Sequence, residues 1–255
     1  MYTSSESQFT KGKLLLRQTE GFLRSLFSLM KVDLPVPDHT TLSRRNSSLE
    51  LQLKRGGKPN GRAKLVIDST GLVIHGEGRW TRHKHGKRKR RGWRKLHIGV
   101  SHGLIVANHL TDERRCDEAI APILIGQTGH IDSITADKGY DQRGVYEAAQ
   151  VHVKQDGKIM IHPKANGVVS ASGEAALRQR NQHIKSISED GVLARRASGY
   201  YRQSEVENMF YRYKTLIGDQ LRARGEKSRQ VESVLACNIL NQFRLLGRPK
   251  CELVA

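Results

Sequence analysis

The sequence predicts an α/β fold, a mixed sheet flanked by helices, with a small N-terminal helical element in front of it. Three observations predict it. First, apolar runs of strand length and segments of helical period follow one another from residue 64 in the order β-β-β-α-β-α-β-α. Second, three strands in series can pair antiparallel through short turns, whereas the later strands are separated by helices and must pair parallel. Third, at 255 residues the chain can bury one large core, with or without a smaller appendage.

The elements justify themselves in order. Residues 14–31 have helical period, and Leu23, Leu26, Phe27 and Met30 share one face. Pro35 and Pro37 break the chain, and Asp38 is placed to cap a short second helix from His39 to about Arg45. Two short helices around a proline turn, the second exposing Arg44 and Arg45, suit a helical DNA-binding element and equally an ordinary helical hairpin. Residues 1–48 form this N-terminal element, and residues 49–64 read as a basic linker or an edge strand. Strands are expected at 63–75, 94–101, 104–111, 133–137 and 158–164. Helices are expected at 117–127, 143–151, 203–222 and 229–246, with 165–199 polar and irregular or partly helical. This is the element order of the RNase H-like fold, and it assigns residues 65–248 to one catalytic domain.

Charge points to the partner. Lys and Arg number 44 against 25 Asp and Glu, a formal net charge of +19. Such an excess favours a polyphosphate and gives salt-sensitive association. No apolar stretch reaches the roughly 18 residues of a spanning helix. The N-terminus has no apolar signal core, so a cytoplasmic, nucleoid-associated protein without membrane contact is expected. Cys116, Cys237 and Cys251 are far apart and form no CxxC pair, which argues against a disulfide framework or a zinc site. Cys237 reads as core.

Three acids stand out on this basic chain. Asp68 extends the apolar run Leu65-Val66-Ile67, Asp137 follows Ile134-Thr135-Ala136, and Glu207 lies within the 203–222 helix. Each alone has a plain reading: a turn cap for Asp68, a pair with Lys138 for Asp137, a surface charge for Glu207. Jointly they sit at strand ends and on a neighbouring helix, where side chains converge on one edge of a sheet. Magnesium and manganese prefer such carboxylate oxygens. Two ions roughly 3.5–4 Å apart activate an attacking water or 3′-hydroxyl and stabilise the leaving oxygen of a phosphodiester. On the helix, Gln203, Glu207 and Lys214 fall on one ridge beside the apolar stripe Val206, Phe210, Tyr213 and Ile217.

The segment Tyr200-Tyr201-Arg202-Gln203-Ser204-Glu205-Val206-Glu207, running on to Lys214, resembles the Y-(2)-R-(3)-E-(6)-K signature of bacterial insertion-sequence transposases. VIDSTGL around Asp68, TADKGYD around Asp137 and PDHTTLSRR at 37–45 resemble the insertion-sequence-five family of DDE transposases. The resemblance runs from about Leu15 onward. It implies an RNase H-like core, Mg²⁺-dependent cleavage and transfer of DNA strands at transposon ends, and a catalytic triad of Asp68, Asp137 and Glu207. It implies DNA phosphate contacts by Tyr200 and Lys214, and assembly of at least a homodimer on double-stranded DNA. Gln203 occupies the signature's arginine position, with Arg202 adjacent. The residues before Leu15 do not continue the family pattern, which reads as a truncated end-recognition element.

From Arg79 to Lys95 the chain carries ten Lys or Arg and no acid, bracketed by Trp80 and Trp93. Lys84, Lys87, Arg88, Lys89, Arg90, Arg91 and Arg94 would project from between the first two strands toward Asp68, and cations interleaved with aromatics suit a nucleic-acid backbone. His83 and His85 have no further ligand at metal spacing. Transposition is the leading function. A metal-dependent nuclease of the same fold and a non-catalytic DNA-binding remnant are the alternatives.

Overall fold

The computed structural model describes residues 14–54, 63–75, 92–170, 175–190 and 200–247. In chain order these form α1 (Leu16–Leu29), α2 (His39–Ser48), β1 (Lys64–Ile74), β2 (Trp93–Ser101), β3 (Leu104–Asp112), α3 (Asp117–Thr128), β4 (Ile131–Ala136), α4 (Arg143–His152), β5 (Val153–Ile161), α5 (Ala175–Asp190), α6 (Gln203–Arg212), β6 (Gln220–Leu221) and α7 (Glu226–Leu245). Single 3₁₀ turns lie at Lys138–Tyr140 and Tyr200–Arg202.

The sheet order is β3-β2-β1-β4-β5. β2 pairs antiparallel with β1 and with β3, while β4 pairs parallel with β1 and with β5. The mixed α/β sheet flanked by helices is therefore as the sequence predicts. Strand alternation divides the core in two. Leu65 and Ile67 pack with Ile134, Ala136 and the helix residues Leu124 and Tyr146 on one face. Val66, Leu72 and Ile98 pack with Val206, Phe210 and Leu240 on the other. The first face is covered by α3 and α4, the second by α6 and α7. β2 runs close beneath β1: a side chain at Gly99 would place its Cβ 2.9 Å from Leu65 Cδ1 and 3.1 Å from Ala107 Cβ.

Two elements differ from the sequence reading, the 203–222 helix and the start of the last helix, and two others fall on alternatives that it left open. Residues 49–54 form no strand, because the Lys54 N–H is taken by the Asn238 side chain of α7 at 2.7 Å and Asn238 in turn donates to the Gln52 carbonyl. The polar 165–199 stretch contains α5. It is held by Arg180, which grips the fully buried Asp141 carboxylate at 2.7 and 3.2 Å. The helix expected over 203–222 ends sooner. It widens into a π turn at Tyr213–Ile217 and stops at Gly218, whose φ of 124° suits glycine, and the chain then lays β6 beside the end of β1. The last helix begins at Glu226 rather than residue 229.

Asp38 caps α2 as expected, accepting from Thr41 N–H at 2.7 Å. Glu20 of α1 takes both the backbone N–H and the ring Nδ1 of His39, each at 3.0 Å, which ties the two N-terminal helices together. α1 buries no residue fully, and α2 packs on α7.

Candidate active site

The site is built on the face of the sheet that carries α6. Asp68 alternates with Val66, so it points to the same side as Val66 and Leu72. β1 and β4 are parallel with Ile67 opposite Ala136, and Asp68 and Asp137 are the next residue on each strand. Two carboxylates therefore leave neighbouring strands at one level. β1 continues to Ile74, so Asp68 lies within a strand and does not cap a turn. Its Oδ1 accepts the Ser69 N–H at 2.7 Å. Asp137 caps the 3₁₀ turn, accepting the Gly139 N–H at 2.8 Å. Glycine suits that turn, since a Cβ at residue 139 would lie 3.0 Å from the same oxygen.

Glu207 enters from α6. That helix buries Gln203, Val206, Met209 and Phe210 against the sheet, leaving Glu207 exposed at the edge of the buried face. The three acids share one electrostatic field. Burial pushes the Asp68 carboxyl up to about 6, and the charges of Asp137, Asp117 and Glu207 push in the same direction, against the Ser69 hydrogen bond. Among the described residues no three His, Cys, Asp or Glu stand close enough together to hold a metal ion. Like charges oppose closer approach, and one oxygen each of Asp68 and Asp137 is turned to a backbone N–H. The donor set itself fits a hard divalent cation, being all carboxylate oxygen around a partly buried acid whose charged form burial disfavours.

Asp117 is an addition that sequence reasoning missed. It opens α3 on the opposite face of the sheet, where Lys95 Nζ lies 3.2 Å and the buried His97 Nδ1 3.5 Å from its Oδ1. Its charge reaches both Asp68 and the buried Tyr140, whose hydroxyl is pushed well above its usual range, first by burial. Burial also lowers His97 to about 4. The Thr111 hydroxyl donates to the Asp112 carbonyl, so it accepts from His97 Nε2 at 2.9 Å. The sequence signal was an acid at a helix start, which alone indicates a favoured helix terminus and nothing more.

The remaining predicted residues separate into groups. Tyr200 opens the 3₁₀ turn that precedes α6. Arg202 lies 5.8 Å from the Tyr201 ring centroid and 3.8 Å from Glu205. Gln203 is buried, and among the described residues neither its amide nitrogen nor its amide oxygen has a hydrogen-bond partner. Lys214 is exposed in the π turn, and Arg44 and Arg45 are exposed on α2. Arg94, at the start of β2, lies 3.1 Å from Glu226 and 3.7 Å from Glu113. Lys84, Lys87, Arg88, Lys89, Arg90 and Arg91, with Trp80, His83 and His85, lie outside the described residues, as does Cys251. Cys237 is fully buried in the α7 core, and Cys116 is exposed. No helix among the described residues is long and apolar enough to cross a membrane.

A mixed sheet with acids leaving two adjacent parallel strands, and a third acid on the helix across them, is the arrangement of the RNase H-like class of nucleic-acid enzymes. Residues 59–242 match the family model described as Transposase DDE domain, and residues 9–77 match a second model of the same description. The first match covers more than half of the chain, and the protein belongs to the DDE-domain transposases.

Proposed function

We propose that the protein binds the ends of an insertion sequence and catalyses DNA strand cleavage and strand transfer, using Asp68, Asp137 and Glu207 to hold two Mg²⁺ or Mn²⁺ ions. The observation that carries this reading is the shared field of three acids from β1, the end of β4 and α6 on one face of the sheet. In cleavage, a water oxygen attacks the phosphorus, the bond to the 3′-oxygen breaks, and a free 3′-hydroxyl and a 5′-phosphate result. In transfer, that 3′-oxygen attacks a target phosphodiester and displaces a second 3′-oxygen, so the number of phosphodiester bonds is conserved. When bound, the divalent ions supply charge stabilisation at the attacking and leaving oxygens.

The chain's own residues position the rest. Asp68 and Asp137 are fixed by strand register and by backbone hydrogen bonds, so they form the rigid half of the site. Glu207, exposed on its helix, supplies the third carboxylate. Lys214, Arg202 and the neighbouring Tyr200 serve the phosphates beside the scissile bond, with Gln203 buried beneath them, and the basic run from Lys84 to Arg91 serves the flanking backbone. Arg44 and Arg45 of α2 extend that basic surface. The signature and the motifs at Asp68 and Asp137 favour the insertion-sequence-five family, and action on two ends favours a dimer on double-stranded DNA. Its place of action is the nucleoid.

The test is incubation with Mg²⁺ and DNA carrying the element's own ends. Wild-type protein is expected to nick and join at those ends. Asp68→Asn should abolish both products while DNA affinity stays within about twofold. Equal loss of affinity and cleavage would contradict a catalytic role for Asp68.

A further inference from the structure

The charge of this chain is also organised on the far flank of α6. On an α-helix, five residues turn about 140° and advance about 7.5 Å. Arg212 stands in that relation to Glu207, so it leaves the helix on the flank away from the catalytic ridge. There it lines a cleft of about 490 Å³ together with Glu205, Asn208, His102, Gly103 and Arg244 of α7. Three elements meet at this point: the end of α6, the end of α7 and the β2–β3 turn.

The two arginines are the notable groups. Neither Arg212 nor Arg244 forms an ion pair with a carboxylate among the described residues. Glu205, the acid of the cleft, lies 3.8 Å from Arg202. Arg244 occupies the last turn of its helix, where a cation is favoured, and Arg212 stands where α6 passes into the π turn. Arg244 is also seated. Gly103 has φ +73°, and a Cβ there would lie 3.2 Å from Arg244 Nε, so the absence of a side chain makes room for the guanidinium. Two planar five-donor groups facing one open cleft match the oxygens of successive phosphates. The cleft is open, and Met209 lines it beside the polar groups.

We propose that this cleft is a second DNA-backbone site, gripping a duplex segment other than the one presented to Asp68 through Arg212 and Arg244. The proposal rests on the reading of the protein as a DNA-acting transposase. A transposase handles transposon end and target together, and α6 would then have one duplex on each flank.

The test is DNA binding by fluorescence anisotropy without divalent metal, in KCl from about 50 to about 300 mM. Each phosphate contact contributes about −0.9 to the slope of log K against log salt. Arg212→Gln with Arg244→Gln should flatten the slope by about 1.8 and weaken binding roughly 60-fold at about 0.1 M salt. Arg212→Lys with Arg244→Lys keeps both charges and should keep the wild-type slope. A steep wild-type slope left unchanged by the glutamine pair would overturn this site alone. Wild-type protein with no salt-dependent DNA binding would overturn both this site and the transposase reading. A slope flattened equally by the lysine pair would overturn the electrostatic basis of the contact.

Discussion

Asp68 is placed where a carboxylate serves chemistry at the expense of the fold, and Asp68→Asn measures that expense. Burial and the charges of Asp137, Asp117 and Glu207 raise its carboxyl from the ordinary 3.8 to about 6. Such a rise corresponds to about 3 kcal/mol of stability lost when the group is charged. The sign follows from linkage. The folded-state value exceeds the unfolded one, so Asp68's favourable contribution is present below pH 3.8 and is lost as pH rises through about 6. Asparagine keeps an oxygen to accept the Ser69 N–H and carries no charge. The variant should therefore match wild type near pH 4, gain on it between about pH 4 and 6, and stay ahead above that. At about 2–4 °C per kcal/mol for a chain of this size, the gain in Tm at pH 8 is about 6–12 °C. The assay is thermal unfolding across pH in a chelator. A variant less stable than wild type at pH 8, or a difference that does not change with pH, would refute the reasoning.

Two other substitutions probe the frame and the edge of the site. Arg180→Met leaves the Asp141 carboxylate fully buried without its cation, and should cost about 3–5 kcal/mol in denaturant unfolding, whereas a loss under about 1 kcal/mol would deny α5 its anchor. Gln203→Met replaces a buried amide whose two polar atoms have no partner among the described residues. It should stabilise the protein by about 1–3 kcal/mol and weaken end cleavage. A destabilised variant with normal cleavage would mean that Gln203 serves the fold only.

Much of this arrangement was legible in the chain. The runs before Asp68 and Asp137 are buried strands, and periodicity of two alone assigns their faces. The Asp38 cap was readable because its partner lies three residues away. What escaped depends on partners far off in sequence. The chain admits α5 only as one of two alternatives and does not show its bounds, because its anchor Asp141 lies 39 residues before Arg180. β6 is two residues long and exists because β1 offers an edge there. The 203–222 pattern ran through it because Leu216 and Ile217 keep helical spacing, although Gly218 marked the stop. Asp117 acts on Asp68 from the other face of the sheet, a relation that only the packing of α3 creates.

The central claim is that Asp68, Asp137 and Glu207 act as one divalent-metal site when DNA is present. The most direct measurement is Mn²⁺ binding by electron paramagnetic resonance, in the presence of end DNA, for wild type and for Asp68→Asn, Asp137→Asn and Glu207→Gln. Wild type should bind two ions, and each substitution should remove at least one. Mn²⁺ stoichiometry and affinity unchanged by all three substitutions would contradict the site.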